Sequence, residues 1–143
     1  MVSEYTISKT IPRAYDHTVQ AVKEGLADQG FGVLTEIDLA ATLLAKIGAT
    51  VAPQIILGAC RPQLAHEALQ ADPSIATVLP CNVVVRAIDD DTTIVEAFDP
   101  EAMLGLSSSA NAVAKAQSSG HGALETVAND ARQRLVALLD ALD

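Results

Sequence analysis

Polar and apolar residues alternate from Glu4 to Lys9, with Tyr5 and Ile7 set against Thr6 and Ser8, which is the period of a half-buried strand. Pro12 then suits the first turn of a helix, where its missing N–H costs nothing. Tyr15, Val19, Val22 and Leu26 recur at helical spacing until Gly30 supplies a stop. Phe31, Val33, Thr35 and Ile37 alternate with Gly32, Leu34 and Glu36, predicting a second strand. Asp38 is placed to cap a short helix carrying Leu39, Leu43, Leu44 and Ile47 and closed by Gly48. The run Gln54-Ile55-Ile56-Leu57-Gly58-Ala59-Cys60 is almost continuously apolar and short, which fits a buried strand, and Gly58 inside it predicts a bulge or a close backbone approach. Pro62 opens a further helix through Leu64, Ala65, Ala68 and Leu69, ended by Asp72-Pro73.

Cys81 to Ile88 and Thr92 to Phe98 are two β-rich runs joined by Asp89-Asp90-Asp91, the clearest hairpin in the chain. The three aspartates lack the glycine and distal glutamate of a calcium loop. Residues 105–122 are small and polar and fit either a loop or an interrupted helix, so their conformation stays open. From Leu124 onward, Val127, Ala131, Leu135, Leu138 and Leu142 form one apolar stripe, with Asp130, Arg132 and Arg134 on the wet side of a long final helix. The order strand, helix, strand, short helix, strand, helix, strand, strand, helix argues for an α+β fold with an antiparallel or mixed sheet covered on one side. Neither a repeat nor a linker divides it, so residues 1–143 are expected to form a single domain.

Composition narrows the partners. Half of the 143 residues are hydrophobic, enough to form a core, while aromatics make up only 3% with no Trp, so stacking platforms for bases are missing. The formal net charge of −9, from 18 acidic and 9 basic residues, repels phosphate backbones and anionic lipid, so neither nucleic acid nor membrane is an expected partner. The first residues do not read as a secretory signal and no apolar run is long enough to span a bilayer, which makes the cytoplasm the expected location.

Several motifs together resemble the bacterial and archaeal family called domain of unknown function 302. They are Gly30-Phe31, Lys46-x-Gly48, Gly58-Ala59-Cys60-Arg61-Pro62 followed by Ala65 and Ala68, Leu79-Pro80-Cys81-Asn82-Val83-Val84-Val85, and Asp99-Pro100. The likeness runs from about Tyr5 to the final helix. It implies a TATA-binding-protein-like β-α-β-β-β-β-α fold with short inserted helices, and a homodimer, but no established activity. Arg61 departs from the pattern, which would have Asn between the cysteine and the proline.

Candidate chemistry centres on the two cysteines. Cys60 stands just before the Pro62 helix, where the helix dipole and Arg61 would favour a thiolate, and Cys81 opens the next long strand. If those strands are neighbours, Cys60 and Cys81, with His66 or Met103, form a candidate thiol or soft-metal site for copper or zinc. Set against this, cysteine is among the most frequently buried residue types and packs as a small hydrophobe. A second candidate is a small-molecule or anion site at the start of the Pro62 helix, drawing on Cys60, Arg61, Cys81, Asn82, Arg86 and Lys46. A nucleophile elbow, a phosphate-cradling glycine loop, a dinucleotide fingerprint and a His-Glu-x-x-His motif are all missing from the sequence, which makes an enzyme the weaker class. The expectation is a non-enzymatic binding or interaction module acting as a homodimer through a sheet edge or an apolar surface. A thiol-redox or soft-metal protein is the alternative, and the sequence names no cofactor.

Overall fold

The computed structural model describes residues 4–102, 104 and 120–143. Five strands, β1 (Thr6–Ile11), β2 (Gly32–Asp38), β3 (Gln54–Cys60), β4 (Cys81–Asp89) and β5 (Thr92–Phe98), form one sheet in the order β1-β5-β4-β3-β2. All four pairings are antiparallel. Helices α1 (Tyr15–Asp28), α2 (Leu39–Ile47), α3 (Pro62–Ala71) and α4 (Gly120–Ala141) follow the strands, with a 3-10 turn at Pro73–Val78 that sequence periodicity did not reveal. This is the expected α+β order with the short helices inserted.

Register explains where the core sits. Leu57 faces Val83 and Val83 faces Ala97, while Val85 faces Val95, so these side chains share one face of the sheet. Val19, Val22 and Leu26 of α1 and Leu135, Leu138 and Leu139 of α4 close over them. A smaller apolar cluster joins Leu64 and Ala68 of α3, Ile75 of the 3-10 turn and Leu124, Val127 and Ala131 of α4. The other face mixes Ile37, Ile56, Val84 and Ile94 with Thr6, Ser8, Thr10, Gln54, Arg86 and Glu96, and none of these is buried.

Two local expectations are corrected. Pro12 does not begin α1: β1 continues to Ile11, which pairs with Thr93, and the helix starts only at Tyr15, three residues later than Pro12. The regular alternation read across β2 is broken by a bulge between Val33 and Thr35, so Phe31 and Val33 pack on the helical layer while Thr35 and Ile37 turn to the other face. Leu34, the extra residue, is 65% exposed.

The Gly58 expectation is realised as a close approach. A Cβ there would collide with Oγ1 of Thr35 and come within 2.9 Å of Cγ of Pro80, so only glycine lets β2 and the Leu79-Pro80 segment lie this near. Asp38 caps α2 by accepting from the amide of Ala41 at 2.9 Å, and Gly48 ends the helix in the left-handed region at φ 68°.

Candidate functional site

Cys60 and Cys81 meet at one end of the sheet. Cys81 lies directly across from Ala59, placing it one residue from Cys60 on the neighbouring strand. Because α3 begins immediately at Pro62 and packs on α4, the two strand ends and the two helices enclose a small apolar cavity. Its walls include Phe31, Cys60, Arg61, Leu64, Leu79, Cys81, Val127 and Ala131, and its volume of about 30 Å³ is room for one water-sized group.

Both thiols are held protonated. Burial raises Cys60, and burial first and the neighbouring Cys60 second push Cys81 up to about 11. The expected thiolate at Cys60 is therefore not what forms. Desolvation disfavours the charged form, and the side chain of Arg61, which was expected to stabilise it, runs instead toward Gly30 at the end of α1.

That path is built by backbone conformation. Gly30 has φ 84°, and the amide of Phe31 donates back to the carbonyl of Leu26 at 2.9 Å, closing α1 with a turn that needs the left-handed region. A Cβ at Gly30 would lie 3.2 Å from Nε of Arg61 and 3.9 Å from Nη1 of Arg134. Arg134 is anchored, donating from Nε to Oδ1 of Asp130 at 2.6 Å and from Nη1 to the carbonyl of Gln29 at 3.1 Å. Nε of Arg61 is buried without a hydrogen-bond partner among the described residues. An unsatisfied buried donor of this kind costs about 1–3 kcal/mol.

The remaining candidates are dispersed. His66 is on the exposed side of α3 and does not line the cavity. Asn82 and Arg86 alternate with Cys81 and Val83 and so project from the opposite face of β4, where Arg86 pairs with Glu96 at 3.6 Å. Lys46 belongs to α2, which leads into the Gln54 end of β3, away from Cys60. Met103 and residues 105–119 lie outside the described residues. Among the described residues, no three or more His, Cys, Asp or Glu side chains are grouped to hold a metal ion. Arg134, read from sequence only as a wet-face residue of the last helix, is the site residue that periodicity missed. Its i, i+4 spacing from Asp130 was the sole sequence signal, and it spoke of a surface pair.

A family model described as "Domain of unknown function DUF302" matches residues 7–142. The chain belongs to this family. A crystal structure of an uncharacterized conserved DUF302 protein from Bacillus stearothermophilus is similar over 99% of this chain and 100% of that one, with 26% identity and a TM-score of 0.82. No curated protein matches the chain. The structural match thus supports the α+β architecture, and family membership assigns no activity, since a fold is not a site. Among the described residues no helix is long and apolar enough to cross a membrane.

Proposed function

We propose that this DUF302 chain is a non-enzymatic interaction module that works as a homodimer, pairing through α2 and the adjoining β2 edge. The observation that carries this reading is α2 itself. Its sequence, Leu39 to Ile47, is interrupted only by the polar residues Thr42 and Lys46, yet not one of its residues is buried. Leu44 and Ile47 are 57% and 73% exposed, and Val51, which lines one surface pocket with Leu44, is exposed as well. Exposed apolar surface of this kind marks an interaction site.

A second copy is the partner favoured by charge. Asp38 stands at the start of α2 and Lys46 in its last turn, roughly 12 Å further along at 1.5 Å per residue. Two such helices packed antiparallel about a two-fold axis set each Lys46 beside the other copy's acidic end, which is the self-complementarity an isologous contact requires. The patch is also nearly neutral on a chain of net charge −9, so it is where mutual repulsion opposes association least.

Sedimentation equilibrium of the full chain tests this. A dimer is expected that becomes a folded monomer in Leu44→Lys/Ile47→Lys, with its circular dichroism spectrum unchanged. A monomer in the unaltered protein, or a dimer indifferent to the double substitution, refutes the reading.

A second reading, a thiol or soft-metal protein, is favoured by one observation: Cys60 and Cys81 border the same cavity, close enough that Cys60 raises the titration of Cys81. Elemental analysis of protein purified without chelator decides it. Stoichiometric copper or zinc that is lost in Cys81→Ser supports that reading, and metal-free protein rejects its metal form.

A further inference from the structure

We infer that Arg61 and Arg134 form a binding site for a small oxyanion at the turn between α1 and β2. The inference is independent of the dimer reading, because this turn and the α2 surface adjoin opposite ends of β2.

The first support is a convergence of two like charges of which the described residues balance only one, Arg134. Only 9 basic residues are set against 18 acidic ones, yet guanidinium atoms of both arginines come within 4 Å of the point where a Gly30 side chain would begin. Asp130 is committed to Nε of Arg134. Among the described residues no carboxylate pairs with Arg61, although Arg86 and Arg134 each have one and Arg132 has two.

The second support is Nε of Arg61. It is buried beside the cavity and donates to nothing among the described residues, so an acceptor entering there would recover the lost bond. The adjoining cavity of about 30 Å³ admits one oxygen-sized group. Its lining of Phe31, Leu64 and Leu79, with both thiols neutral, offers no competing negative charge and strengthens a charge-assisted bond by excluding water. The absence of a side chain at Gly30 keeps the approach open, since a Cβ there would press on Arg61.

The chemistry that fits is an oxyanion placing one oxygen at Nε of Arg61 and facing Arg134 with the others. It can be an inorganic phosphate or a carboxylate borne by a small molecule, and two probes separate these sources. The full chain is titrated with inorganic phosphate and, separately, with acetate, against sodium chloride at matched ionic strength, following backbone amide resonances.

Saturable shifts at Gly30, Phe31 and Gln63 are expected with at least one probe and not with chloride, the responding probe naming the source. Binding should be at least about tenfold weaker in Arg61→Gln and partly kept in Arg61→Lys. Because Arg61 has no partner among the described residues, Arg61→Gln should melt no more than a degree or two below the unaltered protein when phosphate and acetate are both left out, which separates loss of binding from loss of folding. The inference is overturned by equal shifts with chloride, by no saturation with either probe, or by unchanged affinity in a folded Arg61→Gln protein.

Discussion

Cys81 behaves as a weak acid in a dry place. Its folded pKa of about 11 stands above the ordinary value of 9.0, and burial is the larger cause. A raised folded pKa means the unfolded chain releases the proton first. The stability this contributes is whole below pH 9, and it disappears as pH climbs from there through about 11. A shift of this size is worth on the order of 2 kcal/mol. The unaltered protein should therefore lose about that much stability between these pH values, and Cys81→Ala should lose less over the same interval in urea melts. Parallel pH profiles for the two proteins would remove Cys81 as the cause. The same protonation makes Cys81 slow toward a thiol reagent at neutral pH, so a low-pKa redox nucleophile is not what this strand end builds.

At the scale of elements, the sheet grips its long helix by a contact that no local pattern announces. Lys9 faces the helical layer from β1, and its Nζ donates to the carbonyls of Leu139 and Leu142 at 3.1 and 2.6 Å. These carbonyls belong to the C-terminal end of α4, where a cation meets both unsatisfied acceptors and the negative pole of the dipole. Lys9→Met retains the aliphatic stem and removes the charge. It should lower stability by about 1–2 kcal/mol in chemical denaturation, and an unchanged midpoint would show that water replaces the ammonium without loss. The middle of α4 is tied by Arg132, whose Nε donates to Asp99 at 3.3 Å just after β5. Two residues that periodicity placed on a wet face, Arg132 and Arg134, thus make contacts beyond their own helix.

For the molecule as a whole, apolar residues divide into those that hold the fold and those that it leaves outside. Leu26 is completely buried between α1 and the sheet, whereas Leu44 on α2 is more than half exposed. Leu26→Ala removes packing that the surrounding sheet cannot fully refill and should cost about 2–5 kcal/mol. Leu44→Ala, compared at protein concentrations low enough to keep the chain monomeric, should change stability by no more than about 0.5 kcal/mol. Comparable losses in both would mean that α2 is part of the core, and the proposed dimer surface would lose its basis.

Much of this architecture was readable from the chain. The bounds of β3 and α2 follow from Gln54 to Cys60 and from Asp38 to Gly48, because a short apolar run and a capped helix are set by interactions among near neighbours. The hairpin at Asp89 to Asp91 is legible for the same reason, with the amide of Asp91 bonded to the carboxylate of Asp89 at 2.9 Å. The neighbourhood of Cys60 and Cys81 was legible only as a condition, that their strands be adjacent, and pairing of β3 with β4 meets it. What the tertiary structure alone decided depends on groups distant in sequence: the β2 bulge that turns Thr35 and Ile37 outward, the direction of Arg61 toward Gly30, and the arrival of Arg134 there from more than a hundred residues away. Periodicity reports which face of an element is apolar, but it carries no information about which other element will meet that face. The charge state of the two thiols and the convergence of the two arginines exist only once that meeting has occurred.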